Sequence, residues 1–402
     1  MVTLADVQAA AKRINGSIYL SPCAKSETFS QSTGNLVYLK LDNLQRTGAY
    51  KERGALNKLL TLTDKERTSG VIAASAGNHA QGLAYHAARH GIHAQIVMPL
   101  TTPLTKVSAT KNFGGDVVLY GANYDEACEE ATRRSQRDSL TFVHAFDDDV
   151  VIAGQGTVGL EILAQHPEIE AIIAPIGGGG LLGGISVAVK ESNPKIKIVG
   201  VQPARLPSMK AAIAEGKPVT ISSAATIADG IAVRRSGDRT FPLIQKYVDD
   251  IVTVDEEEIA NAILLLLERE KTLAEGAGAA AIAAVLNHKF PLSGKKVAVI
   301  VSGGNIDVTL LSRIIERGLV KDGRLVRLRV HLSDYPGALN RLTAILAEHR
   351  ANIVETSYDR AYYGVNLGDT AIDITMETRG PEHIEELLSA LGAAGYANER
   401  IS

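Results

Sequence analysis

Short β-rich apolar runs recur through the first three-quarters of the chain, with longer stretches of helical period between them. They are Leu36–Leu39, Val71–Ala74, Ala94–Met98, Val117–Tyr120, Phe142–Ala145, Ala171–Ile176, Ile196–Val201, Ile251–Val254 and Val297–Val301. Strands that alternate with helices pair in parallel and are covered on both faces, so an α/β fold is expected. Three runs end in small or glycine-rich segments: Ser75-Ala76-Gly77-Asn78, Gly177-Gly178-Gly179-Gly180 and Ser302-Gly303-Gly304-Asn305. Such segments mark strand carboxyl ends, where open parallel sheets place their ligands.

The period changes near residue 320. Asp322-Gly323 reads as a turn, and Val326, Leu328, Val330 and Leu332 then alternate with Arg327, Arg329 and His331, the pattern of a half-buried strand. Helices follow at Pro336 and Pro381, with strands at Asn352-Ile353 and Ile372–Met376, giving strand-helix-strand-strand-helix-strand. A catalytic domain over 1–320, a linker at 321–325 and a small domain over 326–402 are therefore expected.

Composition narrows the function. The chain has 402 residues, 42 basic and 45 acidic, for a net charge of −3 and no long run of one sign, which argues against nucleic acid as a partner. No apolar run approaches the ~18 to 20 residues of a membrane span. The segment MVTLADVQAAAKRI does not read as a secretory signal, and the two cysteines, Cys23 and Cys128, stand alone, so a reducing cytoplasm is the expected compartment and neither a disulfide framework nor a CxxC metal pair is expected.

Four constellations can carry chemistry. Lys51 opens a helix after the turn Thr47-Gly48-Ala49-Tyr50, where a desolvated neutral amine would serve as a nucleophile; solvated charges capping a surface helix are the alternative. Ser75–Asn78, followed by His79 and Gln81, enters a helix whose unpaired N–H groups suit a carboxylate or a phenolic oxygen, although Ser75 can equally cap and His79 can equally be a core residue. Gly177 to Gly180, followed by Leu181, give up chain entropy, which a close backbone approach to a phosphate would explain. Ser302 at its strand end can hydrogen-bond a ring nitrogen without holding it protonated, as a carboxylate could. Gly154-Gln155-Gly156-Thr157-Val158-Gly159 fits GxGxxG, but the preceding Asp147-Asp148-Asp149 is a loop and no acid follows at the required distance, so no dinucleotide site is expected. HExxH and GxSxG patterns are absent from the sequence.

Taken together and in this order, the four segments resemble the fold type II pyridoxal-phosphate enzymes, and among them the threonine dehydratases (threonine ammonia-lyases). Ala228-Asp229-Gly230 and Thr272-Leu273-Ala274-Glu275-Gly276-Ala277-Gly278 are similar to that family too. Residues 326–402, with Asp334-Tyr335-Pro336-Gly337 and Ala351-Asn352-Ile353, resemble an ACT domain, an α+β ferredoxin-like module that binds amino acids.

The resemblance implies two open parallel-sheet subdomains, the smaller spanning about 40–150 within the larger. It implies that Lys51 holds pyridoxal 5'-phosphate as a Schiff base and takes the substrate α-proton. Gly177, Gly178, Gly179, Gly180 and Leu181 would bind the phosphate, Asn78 the ring hydroxyl and Ser302 the ring nitrogen, with Tyr50, Gly230, Glu275 and Gly303 lining the pocket. Ser75, Ala76, Gly77, Asn78 and His79 would seat the substrate, and Asp334, Pro336, Gly337, Ala338, Asn352 and Ile353 an amino-acid effector, isoleucine or valine.

A ring nitrogen left neutral makes a poorer electron sink, which favours prompt β-elimination over transamination. The expected reaction is thus L-threonine to 2-oxobutanoate and ammonia, with L-serine to pyruvate as a companion. Serine racemases resemble the chain but carry serine where Ala76 stands, so racemisation should be weak. Gln202-Pro203 stands where cation-binding relatives have glutamate, so no metal is expected. Serine dehydratase, serine racemase, threonine synthase and a non-catalytic amino-acid sensor are the alternatives; a homodimer or homotetramer is the expected assembly.

Overall fold

In the computed structural model, which describes residues 1–359 and 368–401, the apolar runs form strands. In chain order these are β1 (Cys23–Ser26), β2 (Leu36–Leu41), β3 (Val71–Ala74), β4 (Ala94–Met98), β5 (Asp116–Leu119), β6 (Thr141–Phe142) and β7 (Ala171–Pro175). They continue as β8 (Lys197–Pro203), β9 (Asp250–Val254), β10 (Lys296–Val301), β11 (Leu325–Ser333), β12 (Asn352–Asp359), β13 (Asp369–Glu377) and β14 (Asn398–Arg400). The chain divides into two units, Met1–Asp307 and Val308–Ser402.

The first unit holds two open sheets. The larger has the order β1-β2-β10-β7-β8-β9 and is parallel except for β1, which runs antiparallel to β2. The smaller, β5-β4-β3-β6, is wholly parallel, and its strands lie in sequence between β2 and β7 of the larger. Strands β3, β7 and most of β8 and β10 are buried along their length, as parallel strands covered on both faces must be. Two corrections to the sequence reading arise here. Strand β1, Cys-Ala-Lys-Ser, has no apolar run to announce it, and Phe142–Ala145 is strand only at Thr141–Phe142 because the chain leaves the sheet to approach Lys51.

The GxGxxG segment lies in the middle of the helix Asp149–Gln165, capped by the Asp148 carboxylate. Its glycines serve helix packing. A Cβ on Gly154 would come 2.7 Å from Gly54 Cα, and one on Gly156 would come 2.7 Å from the Gly184 carbonyl, so this helix meets Lys51–Leu60 and Gly180–Ser192 at bare backbone. A buried ion cluster fastens the same helices. Arg53, fully buried, takes Asp42 through Nε and Nη2 at 2.7 and 2.9 Å and Glu161 through Nη1 and Nη2 at 2.5 and 2.9 Å. Lys40 completes the cluster at 2.6 Å from Glu161.

In the second unit, the helix Val308–Lys321 precedes a four-stranded antiparallel sheet, β12-β13-β11-β14. The helices Ala338–Glu348 and Pro381–Ala393 complete a β-α-β-β-α-β sequence. Val326, Leu328, Val330 and Leu332 are buried against Leu342, Leu346, Ile384 and Leu387, while the other sheet face carries the Arg329–Asp373 pair at 2.8 and 2.9 Å. Among the described residues, no helix is long and apolar enough to cross a membrane.

Candidate active site

A cavity of about 910 Å³ opens in the first unit, and Lys51, Ser75, Asn78, Glu275 and Ser302 all line it. The loop before Lys51 is fastened to the Ser302–Asn305 loop: Tyr50 N donates to Ser302 O at 3.0 Å, Gly304 N to Gly48 O at 2.8 Å, and Ala49 bridges to Gly303. Gly48, at φ +75°, is required because the Asn305 carboxamide occupies the space a Cβ would need. These bonds place Lys51 at the start of the helix Lys51–Leu60, with Nζ donating to the Ala145 carbonyl at 2.9 Å and standing 5.4 Å from the Tyr50 ring centre. Desolvation pushes the Lys51 amine down to about 8, the Glu275 charge opposing it, so roughly a tenth of it is neutral at pH 7.

Strand β3 ends at Ala74, and Ser75 to Gly77 turn into the helix Asn78–Arg89, whose first N–H groups have no side-chain cap. Asn78 Nδ2 donates to Glu275 Oε1 at 2.7 Å. Glu275 is buried at the entry to the helix Gly276–Leu286; burial, and then the charge of Asp229, push its carboxyl up to about 7. His79 is buried with one ring nitrogen 2.9 Å from Val143 O, so that nitrogen is the donor and Nδ1 is left without a partner. Burial and the Lys51 charge depress its imidazole to about 3, which keeps the ring neutral.

Tyr50, Ala76, Gly77 and Gly230 also line the cavity. Gly303 faces the Glu275 carboxyl, where a Cβ would come within 2.5 Å of Oε1. The glycine run is placed differently. Gly177 to Leu181 lie behind the cavity wall: a Cβ on Gly178 would strike the Phe146 ring, and one on Gly180 would stand 2.9 Å from Phe146 Cβ. Leu181 belongs to the core of the large sheet, and Pro175, just ahead of the run, is the wall residue. Gly179, at φ +100°, turns the chain into the helix Gly180–Ser192, whose N-terminus suits an anion.

The described donor set fits pyridoxal phosphate in kind. A partly neutral amine, an amide donor beside a buried acid, a strand-end hydroxyl and a glycine-lined helix N-terminus are the groups its aldehyde, ring oxygen, ring nitrogen and phosphate require. Gln202 is buried and engaged structurally, with Oε1 accepting from Lys210 N at 3.0 Å. Among the described residues, no group of three or more His, Cys, Asp or Glu converges as a metal site.

Several residues here carry no sequence signal. Ala145 contributes only its carbonyl. Phe146 and His144 sit in the β6–helix loop, ring centres 4.6 Å apart. Two ion pairs lie among the residues lining the cavity, Lys106–Asp229 at 2.5 Å and Arg234–Asp125 at 3.2 Å, joining positions more than 100 residues apart. Asn305 closes the segment Ser302-Gly303-Gly304-Asn305, and its position after Ser302 could have flagged it.

In the second unit, Asp334, Pro336, Gly337 and Ala338 form the turn between β11 and the helix Ala338–Glu348, with Gly337 at φ +92° and Ala338 buried. Asn352 and Ile353 begin β12 opposite Glu377 and Met376, which in turn pair with Leu325 and Val326. Since Ser333 pairs with Asp369, the two groups lie at opposite ends of the sheet, roughly 26 Å apart at ~3.3 Å per residue. One copy of the chain does not bring the six together.

The model of the pyridoxal-phosphate dependent enzyme family matches residues 14–303. The L-threonine ammonia-lyase of Thermotoga maritima is 48% identical over 396 residues, covering 98% of each chain. The solved structure of processed threonine deaminase isoform 2 from Solanum lycopersicum superposes with a TM-score of 0.74 at 39% identity, covering 78% of this chain and 91% of that one. Maize serine racemase gives 0.75 at 34%, covering 80% and 98%.

Proposed function

The chain belongs to the pyridoxal-phosphate dependent enzymes, and within them to the threonine ammonia-lyases; on that footing we propose that its cavity converts L-threonine to 2-oxobutanoate and ammonia. When bound, pyridoxal phosphate supplies the aldehyde that engages the substrate nitrogen and the ring that withdraws electrons from the α-carbon. The chain's own groups do the rest. Lys51 Nζ, held by the Ala145 carbonyl, takes the α-proton, which only a neutral amine can do. The free N–H groups at the start of the helix Asn78–Arg89 and the Ser75 hydroxyl seat the carboxylate. Ser302 offers the ring nitrogen a hydroxyl, and the N-terminus of the helix Gly180–Ser192, which Phe146 separates from the cavity, would hold the phosphate once that side chain moves aside. The β-hydroxide leaves with a proton equivalent to the one Lys51 removes from the α-carbon, so that water is lost, and the released enamine tautomerises and takes up water to give 2-oxobutanoate and ammonia.

The observation that carries this reading is the convergence of Lys51, Ser75, Asn78, Glu275 and Ser302 on one cavity from four separated segments. Ala76 lines the cavity without a hydroxyl, which supports elimination over racemisation. L-serine lacks one methyl of threonine, a difference worth only ~1 to 3 kcal/mol in an apolar pocket, so it serves as a second, poorer substrate. The second unit acts as an ACT-like module for isoleucine or valine, in a homodimer or homotetramer in which the turn at 334–338 of one copy and residues 352–353 of another complete each effector site. Its separated halves within one chain support that arrangement. Product analysis with a panel of β-hydroxy amino acids, with and without isoleucine or valine, tests both parts. Threonine should give 2-oxobutanoate with a saturation curve that moves with effector; no product, or curves that never move, would reject the respective part.

A further inference from the structure

Asn305 stands three residues beyond Ser302 and lines the same cavity. Its side-chain nitrogen lies 2.7 Å from the Thr47 carbonyl oxygen and 2.8 Å from the side chain of Asn78. A backbone carbonyl can only accept, so the Asn305 atom facing Thr47 is the amide nitrogen. That nitrogen uses its two hydrogens on Thr47 O and Asn78, so the Asn78 atom facing it is the oxygen. The Asn78 nitrogen is thereby turned to Glu275 Oε1, 2.7 Å away, and keeps one hydrogen beyond that bond.

The far end of this relay is tied to buried groups. Thr47 is buried, and its N–H and hydroxyl both donate to Glu52 Oε2 at 2.8 Å. The Asn305 oxygen occupies the space beside Gly48 that any side chain there would need. Asn305 therefore joins the loop before Lys51, the loop of Ser302 and the Asn78 turn in one hydrogen-bonded chain that has a single sense.

We propose that Asn305 is a positioning residue that holds the Asn78 carboxamide with its N–H edge toward the cavity, so that a ring oxygen meets a donor and is kept as the phenolate. The inference rests on the reading of Lys51 and Asn78 given above. If Asn305 were absent, the Asn78 amide could turn over and present its oxygen, which would favour the protonated ring oxygen instead.

The test compares parental holoenzyme with Asn305→Asp and Asn305→Ala by absorption spectra across pH, alongside melting temperature and cofactor affinity. The phenolate form of the bound cofactor absorbs in the visible and the protonated form in the near ultraviolet. Asn305→Asp keeps the shape, removes both donors and adds acceptors, so the visible to near-ultraviolet ratio should fall about tenfold. Asn305→Ala removes the donors without adding charge, and the ratio should fall about threefold. Should the aspartate variant not fold, the alanine variant carries the test. An unchanged ratio and pH midpoint in a folded variant, even with a lower melting temperature, would mark Asn305 as structural only and overturn the proposal. A parental protein without a visible band, or a Lys51→Ala variant that keeps it, would instead strike the reading of the site itself.

Discussion

Lys51 and Arg53 stand two residues apart at the start of one helix, each withdrawn from water and each near an acid, yet they end in opposite states. Burial would push Arg53 toward neutrality, but Asp42 and then Glu161 overcome it and hold the guanidinium charged. Asp42, for its part, is raised by burial and brought below its usual range by Arg53. Lys51 has a carbonyl at 2.9 Å, the Tyr50 ring at 5.4 Å and the charge of Glu275, and its amine falls to about 8 while Glu275 rises to about 7. Partner number and geometry, rather than depth, decide which buried groups ionise. The matched cluster is scaffold; the unmatched groups stay near the pH at which they exchange protons, as the role proposed for Lys51 requires.

Breaking the contrast on the reactive side gives the largest effect. Lys51→Ala should lower 2-oxobutanoate formation by on the order of a thousandfold or more while the melting temperature hardly moves; turnover within tenfold of the parent would remove Lys51 from its role. Breaking it on the scaffold side does the reverse. Arg53→Met leaves Asp42 and Glu161 without their guanidinium and should cost about 3 to 5 kcal/mol in denaturant unfolding, with a double Arg53→Met, Asp42→Leu variant recovering part of it. A cost below about 1 kcal/mol would mean that the cluster is not the ionised anchor described.

Glu275→Gln sharpens the comparison through pH. The Glu275 carboxyl has a higher value folded, about 7, than unfolded, 4.5, so the folded state binds more protons in that window. The cofactor-free parent should therefore lose stability relative to the variant as pH rises from about 4.5 to 7, by roughly 3 kcal/mol in all, with no further change above it. A parallel course of the two unfolding curves would contradict the raised value. For Lys51 the sign is opposite in its consequence for reactivity: the rate of cofactor capture should climb about tenfold between about pH 7 and 9, tracking the neutral amine, and a flat profile would argue against it. Smallest of all, Lys106→Ala breaks an exposed ion pair and should change stability by less than about 1 kcal/mol; its effect belongs in the salt dependence of KM.

Much of this was legible in the sequence because parallel strands are written as apolar runs and their ends as glycines and small polar residues. Val71–Ala74 and Ala94–Met98 coincide with β3 and β4, and the segments of Asn78 and Ser302, which follow strand ends as the rule requires, meet the helix start of Lys51 at one cavity. What was hidden is of three kinds. Strand β1 is paired through its backbone and has no pattern of its own. Ala145 acts through a carbonyl, which any residue would supply. The pairs Lys106–Asp229 and Arg53–Glu161 join positions more than 100 residues apart, and a single sequence does not state which charges meet. The glycine run was visible as a constraint, although its immediate neighbour, the Phe146 ring, was not.

The claim on which the rest depends is that the Lys51 amine, and no other, engages the cofactor. Borohydride reduction of the yellow holoenzyme, followed by proteolysis and mass spectrometry, fixes the pyridoxyl group wherever it is bound. The account predicts one adduct, on the peptide that carries Lys51; an adduct on a different lysine, or none with the colour retained, would contradict it.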